Sequence, residues 1–314
     1  MHDITTQPLG VLHDEPGLTS MKLTDPQKRN LGRYAHETQM PAKIQAALEC
    51  EDESNKAEGV ILKLSELLEG DSAVECAFLC SEDVKQVWKT TNEGGTFCGY
   101  RNIQMLMSTS NSGVFRNVPS IQSAIEAAWN DGHNTHCRDQ MRGVRNTRKY
   151  IGTLEVEALL SHLAVPHTVC GYYGQKAYDK LLDTIWVYFS STPIHHNWQT
   201  AKVQITERPP VYLQLPGHSL TVVGVEEHID HGRRMLVFDP AWAAPPMMQG
   251  PGQLDSIASH FWRRKWILRQ YRKRNAYFWR YNAFETVMIE SKIEDDSSDE
   301  SARNRSTSSA ANSD

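Results

Sequence analysis

Two runs rich in β-branched and aliphatic residues, Leu220–Glu226 and Met235–Phe238, stand on either side of the polar stretch His228–Gly232. Both runs read as strands, and the stretch between them as a hairpin turn. If the turn centres near Asp230, antiparallel pairing sets Asp239 opposite about Thr221. His218 lies two residues before the first strand region and Asp239 immediately follows the second, so they share one end of the hairpin on neighbouring strands. The second half of the chain therefore builds a sheet, with Val211–Leu215 as a further strand.

A carboxylate at that place can accept from an imidazole and orient it. Three other stretches complete a reactive set: Gly94 to Asn102 around Cys98, Tyr212-Leu213-Gln214, and Gly217-His218-Ser219. Cys98 follows Gly94 and Gly95 and precedes a helical segment through Arg101 to Met107. A helix start aims N–H groups and the positive dipole end at the sulfur, which favours the thiolate. Gln214, four residues before His218, offers a side-chain amide to an oxyanion. Each residue also has a plain reading. Free cysteines are commonly buried and inert. His218 can be a satisfied strand-end histidine, Asp239-Pro240 a strand-terminating turn, and Gln214 an exposed strand residue. Together, in the order Cys, Gln, His, Asp, they describe a cysteine nucleophile with its base, its orienting acid and its oxyanion donor.

Composition narrows the setting. The chain has 314 residues, 39% of them hydrophobic, and a net charge of −5, without a strong bias toward nucleic acid or membrane. Met1–Gly10 lacks a basic start and an apolar run, so no signal peptide is expected. No apolar run is long enough to cross a membrane. The six cysteines form no CxxC pair, and free thiols in a reducing compartment, cytoplasm or nucleus, are expected. The pairs His133/His136, His195/His196 and His228/His231 lack the helical i, i+4 spacing with a carboxylate that a metal site needs; no metal or cofactor is expected.

Along the chain, residues 1–24 and 291–314 are polar and read as disordered, the latter rich in Ser, Asp and Glu. Residues 25–70 read as a helical extension, in two pieces broken at Pro41 before Ile44, Ala47 and Leu48, then a charged linker over Glu51–Gly59 and a helix over Val60–Leu68. Residues 71–290 read as the main domain. Within it, Ser120 reads as the cap of an amphipathic helix carrying Ile121, Ala124, Ile125, Ala128 and Trp129. Residues 153–163 read as another helix starting at Thr153, and Ile185–Phe189 is ambiguous between helix and strand. The basic segment Trp262–Arg274 reads as an amphipathic helix packed on the domain, with a nucleic-acid surface as a remote alternative.

Three blocks of sequence resemble one peptidase family. They are Cys98-Gly99-Tyr100-Arg101-Asn102-Ile103-Gln104-Met105-Leu106, Ile151–Val156 after Arg148-Lys149-Tyr150, and Pro209–Gln214 through Gly217–Glu227. The family contains the proteases of the ubiquitin-fold modifier (UFM) and the zinc-finger ubiquitin peptidase ZUFSP, and the blocks lie closest to the ZUFSP type. The resemblance runs from about Leu31 to Phe284. It implies an α+β, papain-like fold with a helical N-terminal part and a central, mostly antiparallel sheet. It also implies isopeptidase activity on ubiquitin, polyubiquitin or a ubiquitin-like protein. By the same resemblance Cys98 is the nucleophile, His218 the base, Asp239 its partner and Gln214 the oxyanion donor. Glu155 would hold an arginine of the modifier's tail, with Tyr150 as a neighbouring substrate contact; the plain reading of Glu155 is a helix-start acid. UFM proteases usually carry their histidine just after the Asp-Pro pair, where this chain has Ala241 and Trp242. That departure points to ubiquitin. About 90 residues precede the block around Cys98, without zinc ligands, so linkage preference is not implied. The rival expectations are a UFM-type protease and a non-catalytic ubiquitin-binding protein.

Overall fold

The hairpin expected around Asp230 forms the centre of the molecule. A computed structural model describes residues 32–90, 95–109, 115, 117–191, 201–250 and 261–290. The tails expected over 1–24 and 291–314, and Gly94, His195 and His196, lie outside the described residues. In chain order the structure runs α1 (Ala42–Glu49), β1 (Lys56–Ala57), α2 (Val60–Glu69), β2 (Val74–Leu79), β3 (Gln86–Val87), α3 (Cys98–Met107), α4 (Val118–Asn130), α5 (Thr135–Met141) and α6 (Thr153–His162). It continues through β4 (His167–Tyr173), α7 (Ala177–Ser190), β5 (Val203–Ile205), β6 (Val211–Leu215), β7 (His218–His228), β8 (Gly232–Phe238), α8 (Phe261–Tyr271), α9 (Asn275–Phe278) and β9 (Ala283–Ile289).

The main sheet follows the order β4-β9-β6-β7-β2-β5, with β8 also on β7. Every pairing in it is antiparallel except β2 with β5. Alternation along β6 shows both faces are covered: Val211, Leu213 and Leu215 enter one core and Tyr212 the other. On the first face lie Leu64 and Leu67 of α2, Leu181 and Ile185 of α7, and Ile267 and Leu268 of α8. On the second lie Tyr100 and Ile103 of α3, Ile121 and Ile125 of α4, and Val156 and Leu159 of α6. α3 is enclosed on all sides, with Gly99 to Met107 all buried.

Several local expectations are corrected. Ile185–Phe189 belongs to helix α7, where Ile185 and Phe189 fall one turn apart on the buried side. The cap of α4 is Asn117, whose Oδ1 accepts from Ser120 N at 3.0 Å; Ser120 completes the capping box from inside the helix. Residues 33–36 form a turn rather than the first helical piece. The charged stretch 51–59 is no simple linker. It makes a 3₁₀ turn over Glu53–Asn55 and pairs β1 with β3, and Glu51 is buried in an ion pair with Arg101 of α3.

One irregularity decides where the hairpin ends. Pairing runs in register from His228 opposite Gly232 to Gly224 opposite Leu236, then slips by one so that Val222 faces Val237 and Thr221 faces Phe238. A bulge at Val223 takes up the extra residue. Without it, the register would continue to Asp239 opposite Thr221, as the sequence suggests, on the other pleat from His218. A slip of one residue exchanges the two faces of a strand, so the bulge brings Asp239 round to the side of His218. Gly224, next to the bulge, is where the backbone of β2 comes closest: a Cβ there would lie 2.5 Å from the Phe78 carbonyl oxygen.

Candidate active site

Cys98 is the first residue of α3, after Phe97, and is partly exposed while the rest of the helix is buried. The loop before α6 packs against this helix start. A Cβ on Gly99 would come within 2.6 Å of the Ile151 side chain and 3.1 Å of its carbonyl oxygen. Only glycine lets that loop approach so closely beside Cys98.

His218 begins β7 after Gly217, whose φ of +80° makes the β6–β7 turn possible. Its Nε2 donates to Asp239 Oδ1 at 3.0 Å. That leaves Nδ1 as the ring nitrogen open to Cys98, whose proximity shifts both groups. Asp239 is almost wholly buried and uses both oxygens. Oδ1 also accepts from Ala241 N at 3.0 Å, and Oδ2 accepts from Lys273 Nζ at 2.6 Å. The turn reading and the orienting reading of Asp239-Pro240 are thus both realised by one carboxylate.

The electrostatics follow from these contacts. Burial pushes the Cys98 thiol up, but hydrogen bonds and charge from His218, with further hydrogen bonds from Ser219, outweigh it and hold the thiol below its usual value. Burial works against the charged His218 ring as well, yet Asp239 and Cys98 raise it to about 9. For Asp239, burial is opposed by His218 and Lys273, and the carboxyl stays well below the ordinary carboxylate range. Both shifts favour a thiolate beside an imidazolium. It exists only between the depressed pKa of the thiol and the raised pKa of the ring. We expect kcat/KM to rise with pH through the first and to fall as pH passes about 9, where the imidazolium loses its proton. A rate that keeps climbing above that pH would show a neutral Cys–His pair instead.

The helix and the strand are locked together by Asn102, one turn beyond Cys98. Its Nδ2 donates to Ser219 Oγ at 2.9 Å, and its Oδ1 accepts from Thr221 Oγ1 at 2.8 Å. All three side chains are buried. Asn102→Ala should cost about 1–3 kcal/mol of stability, through two hydroxyls left without a partner. It should also lower kcat/KM by up to about 10²-fold, because the spacing of Cys98 and His218 is no longer held. Urea unfolding and steady-state kinetics would check the two effects, and full activity would show that Asn102 serves stability alone.

Two residues offered by the sequence are placed differently from expectation. Gln214 does not present a free amide. Its Nε2 donates to the carbonyls of Leu215 at 2.7 Å and His218 at 3.0 Å, and its Oε1 accepts from Tyr212 Oη at 3.0 Å. The side chain closes the turn that delivers His218. In this geometry the donors left for an oxyanion are the N–H groups at the start of α3. Glu155 is fully buried, and its Oε2 accepts from Gly152 N at 2.8 Å, the capping contact of α6. The structure thus realises its helix-start reading and offers a modifier tail no exposed carboxylate there. Tyr150 is partly exposed, its ring against Gly32, directly before the Ile151 that packs on Gly99.

Lys273, Ser219 and Asn102 were not legible as functional. Lys273 stood in a basic run with no mark to separate it from its neighbours. Ser219 and Asn102 gain their parts only when α3 lies on β7.

A cysteine at the start of a buried helix, facing a histidine and an aspartate from adjoining antiparallel strands, defines a papain-like cysteine peptidase. The model of peptidase family C78 matches residues 73–287, and the chain belongs to that family. Among curated proteins, the mouse zinc finger-containing ubiquitin peptidase 1 is 32% identical over 219 residues, covering 65% of this chain and 37% of the mouse protein. The human protein of the same name is 29% identical over 227 residues, with the same coverage. The chain therefore spans little more than a third of the length of these relatives. A solved structure, that of UfSP from C. elegans, aligns with a TM-score of 0.41 at 15% identity, over 80% of this chain and 41% of that one.

Proposed function

We propose that this peptidase hydrolyses the bond after the C-terminal glycine of ubiquitin. The observation that carries the reading is the source of the base. The ring that meets Asp239 comes from His218 on β7, while Ala241 and Trp242 follow the Asp-Pro pair. The curated relatives that share about 30% identity with this chain are named ubiquitin peptidases, which favours the same modifier.

The reaction begins from the ion pair. Cys98 Sγ attacks the carbonyl carbon, and the oxyanion is met by N–H groups at the start of α3. The C–N bond breaks as the His218 imidazolium gives its proton to the leaving amine, and a thioester remains. Neutral His218 then takes a proton from water, the hydroxide attacks the thioester, and the thiolate leaves with the imidazolium restored. Asp239 holds the ring by Nε2 throughout. Intracellular action follows from this substrate. The deciding experiment is a panel of modifiers carrying a thiol-reactive C-terminal group, with the adduct mapped by mass spectrometry. A ubiquitin adduct on Cys98 is expected. An adduct with a UFM probe and none with ubiquitin would replace the substrate and keep the chemistry. No adduct with any modifier would favour a binding protein.

A further inference from the structure

Residues 261–284 contain eight Lys or Arg and no Asp or Glu, in a chain whose net charge is −5. The structure shows that this segment is not the simple packed helix its apolar residues suggest. Ile267, Leu268 and Tyr271 turn into the core, but Trp262 is 79% exposed, Trp266 57% and, beyond α9, Trp279 66%. Trp262, Trp266 and Arg269 follow at i, i+4 and i+7, one stripe of α8. The stripe leads to a cavity of about 420 Å³ walled by Arg269, Arg272, Lys273, Arg274, Tyr277 and Arg280. Arg272 is held by Glu226 and Asp71, and Lys273 by Asp239. Arg269 and Arg274 are exposed and have no acidic partner among the described residues.

We propose that α8 and this cavity form a docking surface for single-stranded nucleic acid, with phosphates on Arg269 and Arg274 and bases stacked on Trp266 and Trp279. Exposed indoles alternating with guanidinium groups are what a flexible strand needs: a π-face for each base and a cation for each phosphate. Trp262 and Trp266 are separated by about 6 Å of helix rise, a step that suits neighbouring unstacked bases. An anionic membrane is the poorer partner, because the apolar side of α8 is already spent on the core and no continuous apolar face remains for acyl chains. An acidic polypeptide would use the cations but leave the indoles bare. The surface touches the active site through Lys273 yet does not depend on what the peptidase cleaves.

The test is fluorescence anisotropy of the whole chain with labelled oligodeoxythymidylate and oligouridylate of about 20 nucleotides. Saturable binding is expected, weakening with salt at a slope of about −1.4 in log K against log salt for the two phosphates on Arg269 and Arg274. Arg269→Glu with Arg274→Glu should abolish it, and Trp266→Ala should weaken it by about 10-fold. All three positions are exposed, so unchanged thermal melting is the check on folding. Absence of saturable binding at about 50 mM salt overturns the proposal. So does binding that ignores the arginine changes. Equal binding of duplex, insensitive to Trp266→Ala, would reduce the surface to charge attraction and also overturn it, as would binding to phosphatidylserine vesicles but to neither oligonucleotide.

Discussion

Cys98→Ala should abolish hydrolysis of a fluorogenic ubiquitin substrate while leaving modifier binding near normal. In the proposed mechanism the sulfur is the attacking atom, and four of the other cysteines are poor replacements. Cys80 and Cys137 are buried, and burial pushes the Cys80, Cys76 and Cys170 thiols up, away from the reactive thiolate. Removing the thiol takes out little volume, so the fold should stand. Binding measured by calorimetry against turnover would separate the two effects. Substantial turnover by the alanine variant would sink the assignment of the nucleophile.

His218→Ala should lower kcat by about 10³-fold or more. The loss is twofold in origin. The base disappears, and so does the main interaction that offsets burial of the sulfur, so the thiol pKa rises and the thiolate is disfavoured. The acid limb of the pH profile should therefore move to higher pH as the amplitude falls. Asp239→Asn should cost less, about 10²-fold, because the ring remains and only its orientation and charge support are weakened. It should also destabilise the fold, since Lys273 would face an amide in place of a carboxylate. If His218 proves dispensable while another histidine is essential, the site is not the one described.

Much of the site was readable before any coordinates because its parts sit at element ends. Cys98 opens a helix and His218 opens a strand, and such ends carry local marks: Gly95 before the first, Gly217 before the second. Asp239 was reachable because a hairpin links it to His218 through short-range pairing. The roles of Gln214 and Glu155 were not reachable in the same way. Each side chain bonds to backbone within four residues, and which of several nearby carbonyls or N–H groups it meets depends on the turn that forms.

By itself, the sequence determined the strand pair β7–β8, the helices α2 and α6, and the candidate set of Cys98, His218 and Asp239. Hydrophobic period and turn residues act over a few positions and leave their trace in the chain. The tertiary structure alone decided three things. The bulge at Val223 slips the register by one and puts Asp239 on the side of His218, which no count of residues from the turn would show. Asn102 joins α3 to Ser219 and Thr221 across more than a hundred residues, a distance over which no periodicity carries information. And Lys273, one cation among eight in its segment, reaches Asp239 while Trp266 and Arg269 turn outward. The direction each residue of a basic helix faces is set by the core it packs on, and that core is assembled from strands far away in the chain.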